Sequence, residues 1–273
     1  MDNYIQITIE LNDEEISDLL IAQLADLGFE GFEERENFLN AFISEQSFDE
    51  SSFNEIMDVH ELGFSKNIIE PKNWNEEWEK SFDPVVIDDF CSIRASFHQP
   101  IKTTKYEIII TPKMSFGTGH HPTTYLMVKA ISTIDFQNKS VIDFGTGTGV
   151  LAILSELCGA KHVVAIDNDD WSIENARENI MANNCSKIEL YQSGSIEKEK
   201  RMDIVLANIN KNIILEHFSS LKQHLKRDGV LILSGLLVID HNDIESFASQ
   251  LKLKIISRFE KDGWISLILK AFS

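Results

Sequence analysis

The residues able to do chemistry are concentrated in two glycine-rich segments. The first, residues 116–124, reads Phe-Gly-Thr-Gly-His-His-Pro-Thr-Thr; the second, residues 141–151, reads Val-Ile-Asp-Phe-Gly-Thr-Gly-Thr-Gly-Val-Leu. In the second, Val141 and Ile142 begin a buried strand, and Gly145, Gly147 and Gly149 make a tight turn into a helix. Such a turn lets a small polar cofactor lie against bare backbone at the end of a sheet; the alternative is a turn with no ligand. Position 150 is Val rather than the third glycine of a dinucleotide loop, and no Lys-Ser or Lys-Thr pair follows as in a phosphate loop. A pyrophosphate is therefore not the expected ligand.

Two further polar residues stand at predicted strand ends. Asp167 follows Val163-Val164-Ala165-Ile166 and can accept hydrogen bonds from both hydroxyls of a ribose. It can also cap the next helix, although Asp169 and Asp170 suit that task better. Asn208 follows the strand 203–207 and offers a carbonyl acceptor and an amide donor; the alternative is a turn-forming Asn.

These residues need a scaffold, and hydrophobic periodicity supplies it. From Pro122 onward helices and strands alternate: helix 123–132, strand 140–144, helix 150–157, strand 162–167, helix 171–183, a weak strand 188–191, strand 203–207, helix 211–225, strand 229–234 and helix 240–251. Strands 254–259 and 264–269 form a closing hairpin. The pattern predicts an α/β fold: a mostly parallel, Rossmann-like sheet with helices on both faces and an antiparallel C-terminal strand. Ahead of it, strand 4–11 (Ile5, Ile7, Ile9 and Leu11 on one face), helix 14–27 ended by Gly28, strands 29–34 and 38–44, helix 49–62 ended by Gly63, and strand 66–70 give the order βαββαβ. That is the order of a small ferredoxin-like α+β domain. The domains are read as 1–72 and 84–273, joined by a linker helix over 73–83 that carries Trp74 and Trp78 on one face.

Bulk properties narrow the class. A chain of 273 residues with 43% hydrophobic residues can build two modest cores. No apolar run reaches the roughly 18 residues of a membrane span. The opening Met-Asp-Asn-Tyr lacks the features of a signal peptide, so a soluble, cytoplasmic protein is expected. Cys91, Cys158 and Cys185 form no CxxC pair and read as small buried residues rather than a disulfide framework. The histidines show neither HxxxH nor HExxH spacing, so no metal site is expected. The net charge is −19, and residues 1–80 hold 21 Asp or Glu against 4 Lys or Arg. That acidic half either keeps the protein soluble or attracts a basic partner. It counts against direct binding to nucleic acid, whose phosphates need Lys and Arg.

The spacing Asp143-x-Gly145-x-Gly147-x-Gly149 is similar to that of class I S-adenosylmethionine-dependent methyltransferases. Together with residues 116–124, the Trp74–Trp78 segment, Asp167 and the Ala207-Asn208-Ile209 turn, it resembles the bacterial ribosomal protein methyltransferase family called PrmA. Three departures stand out: His120 and Thr146, where the family usually has Thr and Cys, and Asn-Lys-Asn-Ile-Ile after Ile209 in place of Leu-Ala-Gly-Pro-Leu. The resemblance implies that Thr124, Gly145, Asp167 and Asn208, with Gly147, Phe116 and Thr118, bind S-adenosyl-L-methionine. It also implies that Asn208 faces the transferred methyl group as the catalytic residue. The implied activity is trimethylation of lysine side chains and the N-terminal amine of large-subunit ribosomal protein eleven, with the small N-terminal domain recognising that partner. A monomer is expected. Two alternatives remain open: a methyltransferase for another protein, RNA or small molecule, and a non-catalytic cofactor-binding or ribosome-assembly module.

Overall fold

The alternating isoleucines at the start of the chain do what their period of two requires. A computed structural model describes residues 3–11, 14–35, 37–69, 82–113, 115–196 and 200–271. In it Ile5, Ile7 and Ile9 of strand β1 (Tyr4–Glu10) are all buried. They pair with Ile43, Ala41 and Leu39 of β3 (Phe38–Ser44), which face the same core. Helix α1 (Glu14–Asp26) contributes Leu20 and Leu24 to that core, and α2 (Glu50–His60) contributes Phe53 and Met57. With β2 (Gly31–Arg35) and β4 (Phe64–Ile69) the sheet order is β2-β3-β1-β4, with every pairing antiparallel. This is the ferredoxin-like arrangement expected from the element order. Strand boundaries shift by one or two residues, β2 and β4 most, and α2 stops at His60 rather than near Gly63, because Glu61 adopts a left-handed conformation (φ 54°) and caps the helix. Asp49 caps the other end, accepting hydrogen bonds from the amides of Ser51 and Ser52. The chain divides into two compact units, Met1–Ser81 and Phe82–Ser273. Most of the predicted linker helix, with Trp74 and Trp78, lies outside the described residues.

The second unit opens with a small sheet of β5 (Val85–Ile87), β6 (Cys91–Ala95) and β7 (Tyr106–Ile110), in that order. Its main sheet contains β8 (Ser140–Phe144), β9 (His162–Asp167), β10 (Ile188–Gln192), β11 (Met202–Asn208), β12 (Leu225–Leu237), β13 (Leu253–Lys261) and β14 (Trp264–Ala271). The strand order is β10-β9-β8-β11-β12-β14-β13. The first five strands are parallel, and β14 is antiparallel to both of its neighbours. The β12 strand is much longer than the predicted 229–234, running back through the charged Lys226-Arg227-Asp228. The remaining helices are α3 (Pro122–Ile131), α4 (Val150–Leu157), α5 (Asp170–Ala182), α6 (Lys211–Gln223) and α7 (His241–Gln250).

Neighbouring residues on each central strand face opposite sides of the sheet. Val141, Val163 and Ile204 enter one core with residues of α3 and α4, and Ile142, Val164 and Val205 enter the other with residues of α6 and α7. Burial on both faces explains why these strands read as continuous apolar runs. Three asparagines bind α5 and the residue after it to the small sheet. Asn183 bonds the amide and carbonyl of Ile109 through its side chain (2.9 and 2.6 Å), Asn179 accepts from the amide of Thr111 (2.7 Å), and Asn175 donates to the Thr111 carbonyl (3.0 Å).

Candidate active site

The strand order reverses direction between β8 and β11, because one leads to β9 and β10 and the other to β12. At such a switch point the loops after the strands diverge and leave a crevice beyond their carboxyl ends. A cleft of about 430 Å3 lies there, within the range of small-molecule sites. Its walls include Phe116, Gly145, Gly147, Asp167 and Asn208, five of the seven residues singled out from the sequence.

The turn after β8 forms the floor. The amides of Gly145 and Thr146 both donate to the Ile166 carbonyl at 2.9 Å. Gly147 has φ 54°, and a Cβ there would stand 2.3 Å from the Phe116 carbonyl oxygen. Only glycine fits both that conformation and that approach. The two glycine segments are knit together beside it: Thr148 donates to the Phe116 carbonyl through its amide (3.0 Å) and to the Gly117 carbonyl through its hydroxyl (2.8 Å).

Asp167 ends β9 on the cleft wall. Its Oδ2 accepts from the Gly147 amide (2.8 Å) and its Oδ1 from the Asp169 amide (3.1 Å). Each carboxylate oxygen keeps a lone pair for a further donor. Helix capping falls instead to Asp169, which accepts from the amide and hydroxyl of Ser172. Of the two roles weighed from the sequence, capping belongs to the neighbouring Asp169, which leaves Asp167 on the cleft wall.

Asp143 lies beneath the turn and is fully buried. Its Oδ2 accepts from the Thr146 hydroxyl (2.6 Å) and the Ala152 amide (3.1 Å), while Oδ1 has no hydrogen-bond partner among the described residues. Burial pushes its carboxyl up to about 7 against the pull of those hydrogen bonds, and the charge of Asp167 adds to the rise. Near the amino end of β11, away from the cleft at the strands' carboxyl ends, Asp203 behaves the other way. Burial raises its pKa, but bonds from Lys226 (2.8 Å) and from the hydroxyl and amide of Ser140 (2.7 and 2.8 Å) outweigh it and hold the carboxyl well below its usual range.

Asn208 ends β11 and lines the cleft. Its Oδ1 is buried and has no hydrogen-bond partner among the described residues. A buried acceptor of this kind ordinarily finds a donor, so a bound molecule with a donor group suits this position.

Thr124 and Thr118 are not cleft-lining residues. Thr124 is fully buried, its amide donates to the His121 carbonyl (3.1 Å), and its hydroxyl has no partner among the described residues. Thr118 bonds the ring of His120 (3.2 Å), which also bonds the Asp83 carbonyl (2.9 Å). His120 therefore fastens the loop at the position where it departs from the family pattern. His121 and Thr123 do face the cleft. The Nδ1 of His121 caps α3 through the Thr123 amide and hydroxyl, and its ring meets Trp264 edge-on at 4.8 Å. Sequence reasoning missed Trp264 and Gly235 as cleft residues; both come from the far C-terminal strands, and no motif marked them.

A parallel sheet of this order, an antiparallel strand inserted near one end, and a glycine turn at the switch point with an acidic residue on the next strand define a class I methyltransferase. A family model described as "Ribosomal protein L11 methyltransferase (PrmA)" matches residues 5–271, and the chain belongs to that family. The ribosomal protein L11 methyltransferase of Phocaeicola vulgatus is 36% identical over 274 aligned residues, covering 97% of this chain and 98% of its own. That of Porphyromonas gingivalis is 38% identical over 266, covering 94% and 92%. The crystal structure of a ribosomal protein L11 methylase from Lactobacillus delbrueckii subsp. bulgaricus matches with a TM-score of 0.65 and 28% identity, over 70% of this chain and 100% of that one.

Proposed function

We propose that this protein transfers methyl groups from S-adenosyl-L-methionine to lysine side-chain amines and the N-terminal amine of ribosomal protein L11. The observation that carries the reading is the Oδ1 of Asn208, buried and without a hydrogen-bond partner among the described residues, in the same cleft as the Asp167–Gly147 pair. The cofactor fits the donors and acceptors present. Asp167 would accept from its ribose hydroxyls, the turn at Gly145 and Gly147 would lie against it, and Phe116 would cover it. Thr118 and Thr124 would act from behind, by holding the loop and the start of α3. When bound, the cofactor supplies an electrophilic methyl group.

The residues of this chain then have three tasks. They must accept a neutral amine, although a free lysine has a pKa of about 10.4 and deprotonating it at pH 7 costs roughly 4–5 kcal/mol. A cleft that sheds water lowers that cost by disfavouring the ammonium form. Asn208 would orient the amine through its amide oxygen, accepting an N–H and so aiming the nitrogen lone pair. Solvent takes the proton as the amine enters. His121 is not assigned as a base, because its Nδ1 accepts from the Thr123 amide and the neutral ring then carries its proton on Nε2.

Residues 1–72 would recognise the protein substrate, and residues 84–273 would carry out transfer, with 73–83 joining them. The acidic character of residues 1–80 suits a basic, lysine-bearing target. The same reading makes the protein cytoplasmic and monomeric. Among the described residues no helix is long and apolar enough to cross a membrane.

The test offers labelled cofactor with purified L11, total RNA and a metabolite pool in separate reactions. Label in L11 on lysine and N-terminal amines is the expected result. Label only in RNA or small molecules would assign the methyl group to another acceptor. Cofactor binding without any transfer would make the protein a non-catalytic module.

A further inference from the structure

Among the described residues the side-chain oxygen of Asn208 has no hydrogen-bond partner to hold it, so its position depends on the backbone of the turn it belongs to. That turn, residues 208–210, is wedged between two other segments. A Cβ on Gly145 would stand 2.3 Å from Cγ2 of Ile209, and one on Gly235 would stand 2.1 Å from the Ile209 carbonyl oxygen. The turn after β11 therefore packs directly against the end of β12, and Asn208, Ile209 and Gly235 share the cleft wall.

One residue beyond this contact a second tie joins the same two segments. Lys211, the first residue of α6, places its ammonium 2.9 Å from Oδ1 of Asp240 and 2.5 Å from Oδ2 of Asp243. Asp240 is nearly buried, and its other oxygen accepts from the amide of Leu237, the last residue of β12, at 2.9 Å. The location of the lysine is unfavourable in itself. A cation at a helix N-terminus opposes the positive end of the helix dipole, and Asn210, the residue before it, makes no side-chain capping bond. Two carboxylates offset that cost, and they come from the segment that follows β12.

We propose that Lys211 is a positioning residue for methyl transfer: its bridge to Asp240 and Asp243 pins the 208–210 turn to the end of β12 and thereby fixes where Asn208 points. This rests on the reading that Asn208 faces the reacting amine. Reaction rates are sensitive to displacements of about 1 Å at such a group, whereas the Asp167–Gly147 pair is held by its own hydrogen bond, so cofactor binding should respond less. The Lys211 ammonium serves only to hold the turn and takes no part in proton transfer.

The test compares wild type, Lys211→Met, Lys211→Arg and Asp240→Asn, with Asn208→Ala in parallel. For each, the kcat with L11, the affinity for S-adenosylhomocysteine, the Tm and backbone hydrogen exchange over 208–212 and 235–240 are measured. Lys211→Met is expected to lower kcat by roughly tenfold to a hundredfold, to leave cofactor-product affinity within about twofold of wild type, and to speed exchange in both segments together. Lys211→Arg should recover most of the rate, since a guanidinium also spans two carboxylates. Asp240→Asn should resemble Lys211→Met, and the two changes combined should cost no more than either alone. Unchanged kcat and exchange in Lys211→Met would overturn the proposal, as would a fall in kcat matched by an equal loss of cofactor affinity. The readouts separate the two levels of inference. If Asn208→Ala retains full activity, the reading of Asn208 fails; if it is inactive while Lys211→Met equals wild type, only the role of Lys211 fails.

Discussion

The carboxylate of Asp167 and the amide of Gly147 are joined by a 2.8 Å hydrogen bond that links the end of β9 to the turn after β8. The bond holds the acidic side chain at the cleft wall. Replacing Asp167 with Ala removes the acceptor for the Gly147 amide and, on the proposed function, the acceptor for the cofactor's sugar. A hydrogen bond to a charged group is worth about 1.5–3 kcal/mol, so affinity for S-adenosylhomocysteine should fall at least about tenfold. Titration calorimetry checks this. An affinity equal to that of wild type would remove Asp167 from the cofactor site.

Gly147 provides a backbone test of the same turn. In Gly147→Ala the new methyl would meet the Phe116 carbonyl oxygen at 2.3 Å, at a φ of 54°. Gly28→Ala serves as the control, since Gly28 also has positive φ (92°) but open space, with nothing within 4 Å of where a Cβ would stand. The control should cost about 1–2 kcal/mol through conformation alone. Gly147→Ala should cost more and should also abolish cofactor binding, because the 116–117 segment must move. Thermal unfolding and calorimetry on both variants separate the two effects.

Asp143 makes stability depend on pH in an unusual direction for a carboxyl. Its folded pKa is raised to about 7 by burial, whereas an unfolded aspartate titrates near 3.9. Between those values the folded state binds more protons than the unfolded state, so stability falls as pH rises. The favourable contribution is complete below about pH 4 and is lost by about pH 7. Asp143→Asn removes this term, so the difference in Tm between variant and wild type should shift in favour of the variant as pH climbs from about 4 to 7. A difference that stays flat across that range would contradict the assignment.

The acidity of residues 1–80 gives a kinetic prediction. Reversing four exposed acids of the first unit, such as Glu30, Glu45, Glu55 and Asp58, to Lys should raise the KM for L11 several-fold, more so at low salt, with cofactor affinity unchanged. Initial rates at two ionic strengths provide the check. An unchanged KM would leave the charge a solubility device.

Much of this architecture could be read from local sequence, because local chemistry determined it. Ile5, Ile7 and Ile9 alternate since one face of β1 is buried, and the turn from Asp143 to Gly149 needs glycines wherever φ is positive. Asp167 and Asn208 were found because each ends an unmistakable apolar strand. What escaped notice depends on distant segments. Trp264 and Gly235 reach the cleft only after β12 and β14 pair, and the extension of β12 through Lys226-Arg227-Asp228 looks like a turn until Lys226 meets Asp203. No motif marked Asn175, Asn179 and Asn183, spaced by four on and just beyond α5, yet Asn175 and Asn179 are fully buried. Nothing in a single sequence distinguishes polar residues that face water from polar residues that face another strand's backbone.

Those three asparagines also protect the molecule from itself. Strand β7 is the outermost of its three-stranded sheet and carries Ile108, Ile109 and Ile110 in succession. An apolar border with unpaired amides and carbonyls is a template on which another chain can add a strand and begin to aggregate. Here the side-chain amides of Asn183, Asn179 and Asn175 occupy the backbone groups of Ile109 and Thr111 that would recruit a newcomer. The border is sealed by side chains on and just beyond a helix, which supply imitation peptide bonds.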